Sequence, residues 1–129
     1  PALINSAVEE ILRYQAPIQI NNRRAKTATE LGGVALPEGA QVHLMIGAAN
    51  RDPAQFPDPD RFDISRRNNR HLSFGLGIHV CAGNALARIE GVIAFGKLFE
   101  RFPGLHLTGP AKLSERVRFR EIWELPVAV

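Results

Sequence analysis

The stretch Phe74-Gly-Leu-Gly-Ile-His-Val-Cys-Ala-Gly83 holds the residue types in this chain best suited to chemistry. Cys81 is the single cysteine, which excludes an intramolecular disulfide and a multi-cysteine zinc site. A lone cysteine is by default a small buried apolar residue. The neighbours of Cys81 argue for more. Apolar periodicity beginning just after it predicts a helix from Ala82 to about Arg101, so Cys81 falls at the N-terminal mouth of that helix. Unpaired N–H groups and the helix dipole favour negative charge there. A thiol so placed is biased towards thiolate. Gly75, Gly77 and Gly83 remove side chains on both sides, which permits a tight backbone and the close approach of a flat ligand. Backbone N–H groups of such a loop can donate to the sulfur and tune a metal-bound thiolate.

The elements that must position this segment follow from pattern. Residues 1–16 read as a helix, with Ile4, Val8, Ile11 and Leu12 at three- and four-residue spacing and Pro17 blocking its continuation. Short strands are predicted over about 18–27, 33–36 and 41–46, punctuated by Gly32–Gly33 and Pro37–Gly39. Pro53, Pro57 and Pro59 rule out a long regular element, leaving one helical turn near 48–51. Residues 60–80 read as a long ordered loop, and a loop of that length inside a compact domain is usually functional. In the long helix, Ala85, Leu86, Ile89, Val92, Ile93 and Phe99 form an apolar stripe, and Pro103–Gly104 ends it. The tail from Leu105 to Val129 reads as short strands with a turn at Gly109–Pro110.

Composition bounds the function classes. The 129 residues suit one domain or part of a larger one, and 45% hydrophobic with 22% charged residues is the balance of a soluble globular chain. Sixteen Lys and Arg against thirteen Asp and Glu give a net charge of +3. That excess is too small to imply nucleic acid, and no nucleic-acid-binding motif accompanies it. No apolar run reaches the roughly 18 residues of a membrane span, and no signal-peptide pattern is present. A small metal site built from His79 and Cys81 has too few ligands, and His43, His71 and His106 lack ligand-like spacing.

The order Phe74, Gly77, His79, Cys81, Gly83 resembles the cysteine-loop signature of the cytochrome P-450 family. Leu86-Ala87-Arg88 and Glu90 follow it as that family has them. Glu10 and Arg13 resemble its Glu-x-x-Arg pair, and Gly47-Ala-Ala-Asn-Arg-Asp-Pro53 and Asp58-Pro-Asp-Arg-Phe-Asp63 resemble its soluble bacterial branch. The resemblance runs from about residue 7 to about residue 103. It implies a mainly α fold with small β-sheets (α+β): a Glu-x-x-Arg helix, short hairpins, a long meander with the cysteine loop, a long helix and short C-terminal strands. Residues 1–129 would be the C-terminal haem-binding portion, with the N-terminal two thirds absent. The chain begins at Pro1 rather than Met.

The resemblance also implies roles. Cys81 would ligate the iron of haem b (iron protoporphyrin IX), and the thiolate would favour O–O cleavage. Phe74, Gly75, Gly77, Ala82 and Gly83 would cradle the cofactor. His79 and Arg23 would bind its propionates, with Arg24 adjacent and able to take the place of Arg23. Glu10, Arg13 and Arg61 would form a structural cluster pinning the 60–80 loop. An exposed i,i+3 pair would contribute only a few tenths of a kcal/mol, roughly. A buried carboxylate clamped by two guanidinium groups would hold far more firmly. Arg66, Arg67 and Arg70 would steer an acidic ferredoxin or flavodoxin-like electron donor. The function implied is insertion of one oxygen atom from O₂ into a small organic substrate, in the bacterial cytoplasm, with no membrane or nucleic-acid partner. No catalytic residue beyond Cys81 is expected here, because the distal helix and most of the substrate pocket would lie upstream. The chain alone is then expected to be inactive, and its uncovered core offers a route to a homo-oligomer. The alternative is a truncated, non-catalytic relative that acts as a haem-binding or protein-interaction module.

Overall fold

A computed structural model of the chain describes residues 2–129. The first helix, α1 (Ile4–Tyr14), starts where the Ser6 hydroxyl donates to the Leu3 carbonyl (3.0 Å). It ends with the Gln15 amide donating to the Ile11 carbonyl (2.9 Å), two residues before Pro17. Strand β1 (Ile20–Arg24) pairs antiparallel with β4 (Gln41–Met45), placing Asn22 opposite His43 and Arg23 opposite Val42. Between them β2 (Thr29–Leu31) and β3 (Val34–Leu36) form their own hairpin. Its turn needs positive φ at both central residues, which Gly32 (58°) and Gly33 (81°) supply. The strand predicted over 18–27 is therefore shorter. It stops at Arg24, and the chain crosses to a second hairpin.

A single turn, α2 (Ile46–Ala49), follows β4 and lies slightly earlier than the 48–51 predicted. From Asn50 to Gly83 the only helical segment is a short 3₁₀ turn, η1 (Gly77–His79). The stretch is nonetheless anchored. Phe56 is buried, and Asn50 beside it is wholly buried. The long helix α3 (Asn84–Arg101) begins two residues later than predicted, with Gly83 as its cap residue. It crosses α1 closely at Gly91, where a Cβ would sit 3.0 Å from Val8 Cγ1.

The tail forms two nested antiparallel pairs: β5 (His106–Leu107) with β8 (Val127–Ala128), and β6 (Lys112–Leu113) with β7 (Ile122–Glu124). It returns to the start of the first sheet through Gln19 N–H to the Arg118 carbonyl (2.9 Å) and Arg120 N–H to the Pro17 carbonyl (2.8 Å).

The apolar core is small: Val8, Ala16 and Phe56 are buried. The stripe on α3 does not face it. Leu86, Ile89, Ile93 and Phe99 are all exposed. Val92, Ile93 and Phe99 line a cavity of about 990 Å³ with Leu3, Ile11 and Phe62. Among the described residues, no element covers that face. No helix among the described residues is long and apolar enough to cross a membrane.

Gly91→Leu should destabilise the chain by about 1–3 kcal/mol, because a larger side chain must push Val8 and α1 away. The midpoint of urea unfolding measures this. A midpoint equal to that of the unmodified chain would mean that α1 and α3 do not pack as described.

Candidate functional site

Glu10 and Arg13 sit on the inner face of α1, both essentially without solvent exposure. Arg13 grips the carboxylate with both arms of its fork: Nε to Oε2 and Nη2 to Oε1, each 2.8 Å. Its remaining donors reach backbone carbonyls of Asn50 (2.9 Å), Pro59 (2.8 Å) and Arg61 (3.1 Å). Glu10 also accepts from the Asp63 amide (2.8 Å) and from Asn69 Nδ2 (3.0 Å). A second guanidinium stands beside it, that of Arg66, with Nε 3.2 Å from Oε2. The long loop thus touches one carboxylate at residues 63, 66 and 69.

The third member expected from the sequence, Arg61, enters differently. Its side chain is exposed, and it takes part through its carbonyl, which accepts from both Arg13 and Arg66 (3.2 Å). Arg66 supplies the guanidinium. This also corrects the expected basic patch: Arg66 is almost fully buried against Glu10, leaving only Arg67 and Arg70 exposed.

Asn50 carries the clamp on towards the cysteine loop. Its carbonyl takes Arg13, its Oδ1 accepts from the Leu72 amide (2.8 Å), and its Nδ2 donates to Ser73 Oγ (2.9 Å). The Ser73 hydroxyl in turn donates to the Leu12 carbonyl of α1 (2.7 Å). A second cluster lies alongside. Arg88 of α3 binds Glu9 of α1 with Nε (2.7 Å) and Nη2 (3.2 Å), and the buried His71 ring completes it through Nε2 (3.1 Å). The Ser73 amide donates to His71 Nδ1 (3.2 Å), so the ring proton sits on Nε2 and is donated to Glu9.

Beyond Ser73 the chain enters the segment predicted to carry the chemistry. The Gly75 amide donates to the Leu72 carbonyl (2.8 Å), and the Cys81 amide donates to the Phe74 carbonyl (2.8 Å), closing the loop. Gly75 (φ 74°) and Gly77 (φ 72°) adopt the left-handed conformation that favours glycine. A Cβ on Gly75 would also press on the His79 carbonyl at 3.3 Å. At the far end the Cys81 carbonyl accepts from the Asn84 amide (3.2 Å) and from Asn84 Nδ2 (2.6 Å), fixing Cys81 at the mouth of α3. Its thiol is free and exposed.

The surroundings of that thiol are unusual for a solvated loop. Leu76 is 80% exposed, Ile78 is 96% exposed, and Val80 is also exposed. His79, Ala82 and Gly83 are exposed beside them. A run of bare apolar side chains in the same short loop as an exposed cysteine suits a flat apolar group with a soft-ligand centre. Arg23 lies elsewhere, on β1, with its guanidinium on the Asn22 carbonyl (2.8 Å). Among the described residues, no hydrogen bond joins it to the cysteine loop. Arg24 occupies the opposite face of the strand and binds the Gly39 carbonyl (3.2 Å).

A family model described as cytochrome P-450 matches residues 2–116. The chain belongs to the cytochrome P-450 family. It is 50% identical, over 98% of its length, to the biotin biosynthesis cytochrome P-450 of Bacillus subtilis, and 54% identical, over 83%, to 6-deoxyerythronolide B hydroxylase of Saccharopolyspora erythraea. These matches cover 32% and 26% of the respective relatives, so the chain spans about a third or less of their length. Among solved structures it superposes on P-450BioI in complex with an acyl carrier protein carrying hexadec-9Z-enoic acid. The TM-score is 0.95 at 49% identity, covering 98% of this chain and 33% of that one. The α+β arrangement of small hairpins and two packed helices is therefore that of a P-450, and haem is the cofactor of this family.

The sequence left Asn50, Asn69, Arg66 and the Glu9–His71–Arg88 cluster without structural roles. His71 in particular carried none. Residue types alone cannot signal burial, and these groups meet only across 22 to 79 positions of chain.

Titration of these groups has a definite sign. Burial alone would push the Glu10 carboxyl up. The Arg13 fork, the Asp63 amide and the charges of Arg13 and Arg66 outweigh it and hold the group below its ordinary 4.5. Burial lowers His71 from its ordinary 6.5 despite the opposing pull of Glu9. The unfolded chain therefore takes up a proton first in both cases. Stability should be constant above pH 6.5, decline below 6.5 as unfolded His71 charges, and fall further below 4.5 as unfolded Glu10 protonates. Urea unfolding across this range checks it. His71→Gln should remove the upper component. Glu10→Gln should diminish the lower one, which Glu9 and Asp63 share because their carboxyls are also held below their ordinary values. It should also cost about 3–5 kcal/mol at neutral pH, because it strands two buried guanidinium groups.

Proposed function

We propose that Cys81 is the thiolate ligand to haem iron, and that the protein containing this chain is a monooxygenase. The observation that carries this reading is the exposed Cys81 at the mouth of α3, in a glycine loop whose neighbouring residues Leu76, Ile78 and Val80 are also exposed. Bound haem would supply oxygen activation, which a thiolate ligand favours.

The chain's own residues do the rest. The Phe74 carbonyl and Asn84 hold the Cys81 backbone on both sides at the mouth of α3. Gly75, Gly77 and Gly83 would let a planar group lie close, while Phe74, Ala82 and the exposed apolar residues would pack on it and exclude water. His79, on η1, would donate to a propionate, and Arg23 would provide a second such contact from β1. The Glu10–Arg13–Arg66 clamp keeps the loop in place. Haem b suits this set, since the ligation needs no covalent link from a second cysteine. Electrons come from an acidic ferredoxin or flavodoxin-like donor, and the substrate is a small organic molecule bound mainly by parts of the protein outside these residues.

Cys81→Ala in the haem-loaded protein should abolish the thiolate-type spectrum of the reduced carbonyl complex. Retention of that spectrum by the variant would refute the ligand assignment. A protein that folds but takes up no haem would point instead to a non-catalytic interaction module.

Arg67 and Arg70 are the members of the expected basic patch left open for a donor. Replacing both by Glu should slow reduction by an acidic donor about tenfold or more at low salt, with a weaker dependence on ionic strength and unchanged haem content. Stopped-flow reduction measures this. Unchanged rates would remove these residues from the docking surface.

A further inference from the structure

Arg88 touches neither the thiol nor the outer edge of the cysteine loop, yet its side chain reaches both residues that hold the Cys81 backbone. Its guanidinium lies over the Phe74 ring, 4.7 Å from the centroid. The carbonyl of Phe74 is the acceptor for the Cys81 amide (2.8 Å). On the other side Arg88 Nη1 donates to Asn84 Oδ1 (2.9 Å). That bond orients the Asn84 side chain so that Nδ2 faces the Cys81 carbonyl (2.6 Å). The N–H and C=O of Cys81 are thus both fixed by residues that Arg88 holds.

We infer that Arg88 is the positioning residue for Cys81, and that Glu9 and His71 exist to aim its guanidinium. This rests on the thiolate role proposed for Cys81. A long arginine loses considerable rotamer freedom when it is fixed, so something must hold it. Glu9 takes two of its donors, at 2.7 and 3.2 Å. His71 donates to Oε2 of the same carboxylate at 3.1 Å, and its ring stands 6.0 Å from that of Phe74. The Ser73 amide, immediately before Phe74, is bonded to the same imidazole. The guanidinium is planar and forked, so it can lie on an aromatic face while its N–H groups bind in-plane acceptors. Lysine, a point charge, cannot do both.

The test uses Arg88→Gln, Arg88→Lys and Glu9→Gln in the full protein, with Lys97→Gln at an exposed ion pair as control. Amide hydrogen exchange reads the Cys81 and Asn84 N–H groups with and without haem, so this arm does not depend on the cofactor. Both Arg88 variants should speed exchange at these two amides about tenfold, and Glu9→Gln by a smaller factor, while amides of α1 and the C-terminal sheets stay protected. In the haem-loaded protein the Arg88 variants should convert to the non-thiolate form of the reduced carbonyl complex faster than the control. The effect should be larger for Gln than for Lys. Unchanged exchange at Cys81 and Asn84, or a uniform rise across the whole chain, would overturn the inference. Faster exchange with no thiolate spectrum even in the unmodified protein would instead sink the ligand assignment and leave the backbone role of Arg88 standing.

Discussion

A carboxylate with no access to water must be surrounded by donors, or its burial costs far more than a small domain can absorb. Glu10 meets that demand with the fork of Arg13, the guanidinium of Arg66, the Asp63 amide and Asn69. Donors from positions 63, 66 and 69 can gather there only if the chain wraps around α1. The charge therefore dictates the course of a segment that has almost no regular hydrogen bonding of its own. Arg13 extends the same constraint to the carbonyls of Asn50, Pro59 and Arg61.

The apolar contribution is modest by comparison. Val8, Ala16 and Phe56 are the buried hydrophobic residues, and many large apolar side chains on α3 and the tail are open. In this chain, polar bonds specify the conformation of the loop. A buried network of that kind is demanding, because each unsatisfied member carries its full desolvation cost. It is also rigid for the same reason, which suits the role proposed for Cys81.

From the clamp to the thiol the route is short and continuous. Asn50 passes it to Leu72 and Ser73, Ser73 ties it back to α1, and the loop closes between Phe74 and Cys81. The Glu9–His71–Arg88 cluster repeats the logic one helical face away, joining α1 to α3 across the same loop. Both helices thus hold the loop that carries Cys81, a residue that belongs to neither.

The local features of the chain were legible in its sequence. The spacing around Cys81 and the glycines gave the cysteine loop, because their requirement for positive φ and close approach is a property of the residues themselves. Helical periodicity placed α1 and α3 to within a few residues, and the Gly32–Gly33 turn marked one hairpin. What needed the tertiary structure was every choice among like residues. Arg61 and Arg66 are both arginines in one loop, and only the path of the chain decides that the second meets Glu10 while the first lends its carbonyl. The break between β1 and β2, the burial of His71 and the open face of α3 are likewise outcomes of packing between distant segments. Periodicity fixes which side of a helix is apolar. It carries no information on whether another element arrives to cover it.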